Sequence, residues 1–358
     1  MSAITDHLQS QKTAQIGTDI GYAKALLEAG EVIGLPTETV YGLAGNALNQ
    51  AAVARIFEVK QRPTFNPLII HIGQQADVAR YVQVVPPKAQ RLMDAFWPGP
   101  LTLLLPKRPI VPDLVTAGSD LVAIRMPAHP MALALLQSLS FPLAAPSANP
   151  FMYVSPTTAQ HVAKQLGRSI PYILDGGPCT VGVESTIIGV DATGEVTLYR
   201  HGGISAEEII AVVGPIAQAT KAQERSGKTI AATPGQLMKH YATSKPTVWV
   251  STIPDSWWAT KESVSAIGFI GLDKDLTTTL SSFGASDEVI AQASQVPEKQ
   301  QFLLSPDGNL KEAATRLFDV MRLLDSHLAV RHIVVAHFPS EGLGQAINDR
   351  LGRAVFGD

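Results

Sequence analysis

The chain has 358 residues, with 28 Lys and Arg against 31 Asp and Glu, a formal charge of −3, and 46% hydrophobic against 16% charged residues. That is length enough for two domains with separate cores, and the balance excludes a disordered chain and a broad polyanion-binding face while leaving room for a small basic pocket. No apolar run approaches the ~18 residues of a membrane span, and the single cysteine, Cys179, rules out an internal disulfide.

The polar opening stretch MSAITDHLQSQKTAQ holds no apolar export core, so a cytoplasmic location is expected. DIGYAKALLEAG predicts an amphipathic helix capped by Asp19 and stopped at Gly30. The stretch from Val32 to Ile72 begins as a short apolar strand and turns at Pro36 into Thr37-Glu38-Thr39 and Tyr41-Gly42. It continues as a helix with Val53, Ile56 and Phe57 at helical spacing. Pro63 forbids continuation beyond Lys60-Gln61-Arg62, and a strand from Pro67 to Ile72 carries His71. This is a βαβ-like unit, and ligands of open α/β sheets bind at such strand ends.

PPKAQRLMDAF predicts a helix, and Trp97-Pro98-Gly99-Pro100 a rigid turn into the strand LTLLLP. LVAIRMP is a buried strand with Arg125 near its exit. A helix (HPMALALLQSL) and a strand (PLAAP) then deliver Ser147-Ala148-Asn149-Pro150. Ser155-Pro156-Thr157 supplies hydroxyls for the start of helix TTAQHVAKQLG. YILDGG, ESTIIGV and EVTLYRHGG read as strands returning antiparallel. The whole predicts a mixed, twisted open α/β sheet over residues 1–213.

Residues 214–246 lose periodicity and read as a linker or lid, ending in Met238-Lys239-His240-Tyr241. From 247 to 358 a smaller, Rossmann-like α/β pattern follows: TVWVST, SAIGFIGL, a long helix near EAATRLFDVMRLLDS, the strand HIVVAHF and a helix near AINDRLGRAV.

Two motifs tempt and fail. Ser226-Gly227-Lys228-Thr229 has the tail of a phosphate loop, but Ala222 stands where its first glycine belongs. Gly342-Leu343-Gly344 opens a dinucleotide fingerprint, but Ile347 takes the third glycine position, which leaves a tight turn before a helix. No zinc helix, CxxC pair or GxSxG elbow supports a metal or serine hydrolase.

What survives is a constellation. Lys60 and Arg62 can turn into one pocket at a helix end, or they cap the helix, worth ~0.3–1 kcal/mol. Arg125 in an apolar strand needs a partner; it suits bidentate capture of a carboxylate or phosphate, or it forms a structural salt bridge. Ser147 to Pro150 also suits an ordinary turn, and His71 a satisfied core histidine. Together these residues describe a small-molecule pocket for two anionic ligands.

Lys60-x-Arg62 with Ser147-x-Asn149 resembles the KxR…SxN signature of threonylcarbamoyl-AMP synthases. PTETVYGL, KQRPTFNPL, WPGPLT, VAIRMP, APSAN and GVESTI are similar to further blocks of that family. NLKEAATRLFDVMRLLDS and GLGQAINDRLGRA resemble the C-terminal part of its two-domain form, so the resemblance covers the chain from residue 19 onward. It implies an enzyme, a nucleotidyltransferase, that joins L-threonine, bicarbonate and ATP into threonylcarbamoyl-adenylate and pyrophosphate. The product would feed tRNA modification at the adenosine beside the anticodon, through a downstream tRNA threonylcarbamoyl-transferase complex. The resemblance assigns Thr39, His71, Arg125 and Ser185 to L-threonine. It assigns Lys60 and Arg62, as catalytic residues, with Asn66, Ser147, Asn149, Ser155, Arg200 and Tyr241, to ATP. His240-Tyr241 is similar to a linker motif that closes over the nucleotide. Mg²⁺ is expected with ATP rather than on protein side chains, and no tightly bound organic cofactor is implied. Ala145 stands where the family often has a hydroxyl, and Thr243 where it usually has proline.

Two other readings compete. A carbamoyl transferase of the hydrogenase-maturation type shares a related module, but the lone Cys179 excludes that group's cysteine zinc finger. A non-catalytic RNA-binding protein would want a basic stripe, which a charge of −3 does not provide; direct tRNA binding is expected to be weak at most. The second domain shows no chemistry of its own in sequence and could serve as a docking module.

Overall fold

A computed structural model describes residues 13–219, 240–258 and 264–355. The phosphate-loop-like residues 226–229 and most of the expected linker lie outside them. No helix among the described residues is long and apolar enough to cross a membrane.

The strands β1 (Gln15–Gly17), β2 (Ile33–Leu35), β3 (Gly42–Asn46), β4 (Ile69–His71), β5 (Leu101–Pro106), β6 (Leu121–Arg125), β7 (Leu143–Ala144), β8 (Tyr172–Leu174), β9 (Thr186–Val190), β10 (Val196–Arg200) and β11 (Ala217–Gln218) form one mixed sheet. Their spatial order is β1-β8-β2-β3-β7-β4-β6-β5-β9-β10-β11. A second, all-parallel sheet has the order β12 (Thr247–Trp249), β15 (His332–Val335), β13 (Ile267–Gly271), β14 (Gln301–Leu303). The mixed open sheet with a smaller α/β domain is the architecture the sequence predicts.

Helix Ile20–Glu28 starts on Asp19, whose side chain accepts from the Tyr22 amide, and Gly30 follows it at φ +86°. Helix Gln50–Lys60 is capped by Asn49 and buries Val53, Ile56, Phe57 and Lys60 on one stripe. Lys60 therefore inherits the core-facing direction of its apolar neighbours, and its ammonium points inward.

Three expectations need correction. The unit from 32 to 72 is not βαβ-like: β2 and β4 are separated by β3 and β7, and β2–β3 is an antiparallel hairpin. β3 reads GLAGN, without β-branched residues or alternation, so pattern alone passes over it. Its glycines serve close approach, since a Cβ on Gly45 would sit 3.0 Å from Val32 and one on Gly42 3.1 Å from Ala145. Next, of the three late strands only β9 and β10 pair antiparallel; β8 runs parallel to β1 and β2, as a strand fed by a crossover helix does. Finally, helix Ala159–Leu166 is capped by Thr158, not by the hydroxyls at 155 and 157.

The main core fills the space between the first sheet and its helices. A second cluster joins the two parts of the chain: Val40, Val154, Val183 and Tyr241 pack with Leu317, Phe318 and Met321 of helix Leu310–Ser326. Gly182, at φ +77°, lets the backbones meet there, because a Cβ would lie 2.4 Å from the Thr315 Cα.

Candidate active site

Lys60 is buried, and its Nζ donates to the carbonyl oxygens of Ser147 at 2.5 Å and Asn149 at 2.6 Å. The helix end and the turn after β7 are thus tied by a single ammonium. Arg62 donates from Nε to Asn66 O at 3.1 Å and from Nη2 to Pro67 O at 2.9 Å. Neither cation belongs to an ion pair among the described residues. Burial and then neighbouring Arg62 pull the Lys60 ammonium well below the usual lysine range. Burial and then Arg200 bring Arg62 down to about 9, and burial brings Arg200 down to about 10. Crowded cations held mainly by carbonyls favour an anion beside them.

The other half of the site is built on strand register. His71 on β4 and Thr102 on β5 lie opposite Arg125 on β6 from either side. Arg125 donates to Gly99 O at 3.2 Å, to Thr39 Oγ1 at 3.0 Å and to Glu38 Oε1 at 2.5 Å. Thr37, whose hydroxyl donates to Val40 O at 2.6 Å, fixes the turn that presents Glu38 and Thr39. Thr102 and Ser185 share a hydrogen bond of 2.7 Å between their hydroxyls. Burial, then Arg125, takes the His71 imidazole down to about 3, so it is neutral near pH 7. Its Nδ1 and the second oxygen of Glu38 are buried without a hydrogen-bond partner among the described residues.

The two halves meet at one cavity of about 50 Å³. Its lining includes Thr39, His71, Arg125 and Ser185 together with Arg62, Ser147, Arg200, His240 and Tyr241, and Arg200 links the two sets by donating to the Ser185 carbonyl at 2.9 Å and hydroxyl at 3.1 Å. Lys60, Asn66, Asn149 and Ser155 are not in that lining. Lys60 stands behind it, Asn66 offers its carbonyl to Arg62, and the Asn149 amide donates to Pro150 O and Tyr153 O at 2.8 Å. The Ser155 hydroxyl donates to Glu184 Oε1 at 2.6 Å. Buried Nδ2 of Asn66 and Oδ1 of Asn149 keep free hydrogen-bonding capacity. Ala145 lines the cavity with its methyl group. Thr243 donates to Lys245 O at 2.6 Å and shares a 2.8 Å bond with Thr247, closing a turn where proline was expected.

Tyr241 is buried in the cluster that joins the two domains. Its ring stacks on Phe318 with centroids 5.4 Å apart, and its backbone sits at φ +62°.

Sequence reasoning passed over Glu184 and Glu38. Glu184 lines the cavity, and its carboxylate is 2.8 Å from Arg350 Nε. Burial raises its pKa, but Arg350 and then Arg200 more than offset this and hold it at about 2. A glutamate next to the apolar run TIIGV carried the same demand for a partner that singled out Arg125. Nothing local in sequence pairs residue 184 with residue 350.

Residues 25–202 match the family described as telomere recombination, and residues 204–355 match the C-terminal domain of threonylcarbamoyl-AMP synthase. A threonylcarbamoyl-AMP synthase of Bacillus subtilis is 38% identical over 99% of this chain and 96% of its own. One from Pyrococcus abyssi is 38% identical over 94% of this chain and 93% of its own. Among solved structures, Pyrococcus abyssi Sua5 complexed with L-threonine aligns with TM-score 0.81 at 36% identity, covering 94% of each chain.

Proposed function

The chain belongs to the threonylcarbamoyl-AMP synthase family, and from that premise we propose that it joins L-threonine, bicarbonate and ATP into threonylcarbamoyl-adenylate, releasing pyrophosphate. The observation that carries the proposal is the shared cavity, where Arg125 faces a space also bounded by Arg62 and Arg200. Arg125 spends three of its five N–H groups on Gly99, Thr39 and Glu38. Two remain to orient the amino-acid carboxylate. Thr39, His71 and Ser185 complete the threonine side, with His71 neutral.

Threonine's amine, after losing a proton, adds to the carbon of bicarbonate with loss of water. The resulting carbamate is short-lived in water, which a closed cavity excludes. One carbamate oxygen then attacks the α-phosphorus of ATP as the bond from that phosphorus to the bridging oxygen breaks, and pyrophosphate leaves. Lys60, Arg62 and Arg200 offset the charge that builds on the phosphates, while Ser147, Asn149, Asn66, Ser155 and Tyr241 position the nucleotide. Catalysis by placement and electrostatics needs no covalent nucleophile.

Mg²⁺ would enter with the triphosphate and neutralise charge on its oxygens. The donor set suits that route: Glu38 and Glu184 are each engaged by an arginine, which would leave the ion to the triphosphate oxygens and the waters that Mg²⁺ keeps. The product would pass to a tRNA threonylcarbamoyl-transferase complex. Mass-spectrometric detection of an adenylate that requires threonine, bicarbonate and ATP together tests the proposal, with serine in place of threonine as the specificity control. Absence of that species from active-site-saturating mixtures would refute it.

A further inference from the structure

Arg350 comes from helix Leu343–Val355 of the C-terminal domain, yet its side chain is fully buried against the first. Its Nε lies 2.8 Å from Glu184 Oε2, and its Nη2 donates to His201 O at 2.8 Å. The guanidinium also stands 5.3 Å from the centroid of the Tyr241 ring. Through Glu184 the chain of contacts reaches Ser155, whose hydroxyl is held by the other carboxylate oxygen. A second arginine of the same domain, Arg322, donates from Nε to Ser155 O at 3.1 Å and also to Val154 O. Both polar ends of Ser155 are therefore fixed by groups that trace to the C-terminal domain.

Glu184 is the one carboxylate in the lining of a cavity that also holds the cations Arg62, Arg125 and Arg200. Left uncompensated, its carboxylate would repel any phosphate brought there. We propose that Arg350 is a positioning residue for the nucleotide half of the site, neutralising Glu184 and through it holding Ser155, so that the C-terminal domain completes the pocket. The proposal rests on the function argued above and gives the second domain a chemical task there.

The test compares Arg350→Met, Glu184→Gln and the double variant in the full-length protein, following pyrophosphate release against ATP and against threonine concentration. Arg350→Met is expected to raise KM for ATP about tenfold or more, with KM for threonine moved less. Adding Glu184→Gln is expected to recover most of that loss, because the stranded charge goes with it. Arg350→Lys, which keeps the charge, is expected to lie closer to wild type than to Arg350→Met in KM for ATP; it also serves if the methionine variant does not fold. Additive losses in the double variant, or a lower melting temperature with KM for ATP unchanged, overturn the proposal. A wild-type protein without threonine-dependent pyrophosphate release defeats the underlying function instead, and this inference with it.

Discussion

Glu38 and Arg125 form an ion pair of 2.5 Å in which both side chains are almost wholly buried. The glutamate therefore holds the arginine in its cavity-lining pose and supplies the counter-charge that lets a guanidinium sit between apolar strands. Removing one member of such a pair strands the other, at about 3–5 kcal/mol. Glu38→Ala is expected to lose stability on that scale in urea unfolding, and to bind threonine more weakly in calorimetry. A loss of stability below about 1 kcal/mol would show that Gly99 and Thr39 suffice to hold Arg125.

Lys60 ties two carbonyls after β7 while contributing charge behind the cavity wall. Lys60→Met keeps most of the buried volume and deletes the ammonium. Pyrophosphate release is expected to fall about 10²-fold or more. Arg62→Ala should cost a similar factor, and full activity in either variant would remove the charge-offset argument.

How far the sequence anticipates this site differs residue by residue. The demand of Arg125 for a partner is legible, because a charge inside LVAIRMP has no other tenable arrangement. That Lys60 points inward is legible too, since 53, 56, 57 and 60 share a helix face. The identity of the partner, Glu38, is not: it depends on which strands lie side by side, and β3 carries too weak a pattern to reveal the sheet order. Contacts across the two domains are further out of reach, since the faces of helices 310–326 and 343–355 say only that something apolar covers them.

Acid should destabilise the fold in a defined window. Burial takes His71 and His240 down to about 3, whereas an unfolded histidine protonates near 6.5. Between those values the unfolded chain binds more protons, so stability falls as pH falls, by about 2 kcal/mol per histidine from 6.5 to 5. Below about 4.5 Glu184 adds to the loss, its carboxyl held at about 2 in the fold. Thermal melts at pH 7 and pH 5 should show the drop, and His71→Gln should reduce it. An unchanged pH slope in that variant would mean that His71 is solvated in solution.

Gly182 offers a test of how the halves meet. Its positive φ and the 2.4 Å approach to Thr315 leave no room for a methyl group. Gly182→Ala is expected to cost about 1–3 kcal/mol from backbone strain alone, with further loss from separating the helix. Because Glu184 lies two residues on, KM for ATP should rise with it. Wild-type melting and kinetics in this variant would show that the contact yields freely.

Tyr241 keeps its ring between Phe318 and Arg350 only by accepting a left-handed backbone that costs a residue other than glycine about 1–3 kcal/mol. Any swing of the segment that lets φ turn negative returns that energy. The aromatic bolt beside the cavity is thus cocked against its own main chain, and drawing it takes less work than its buried ring would suggest.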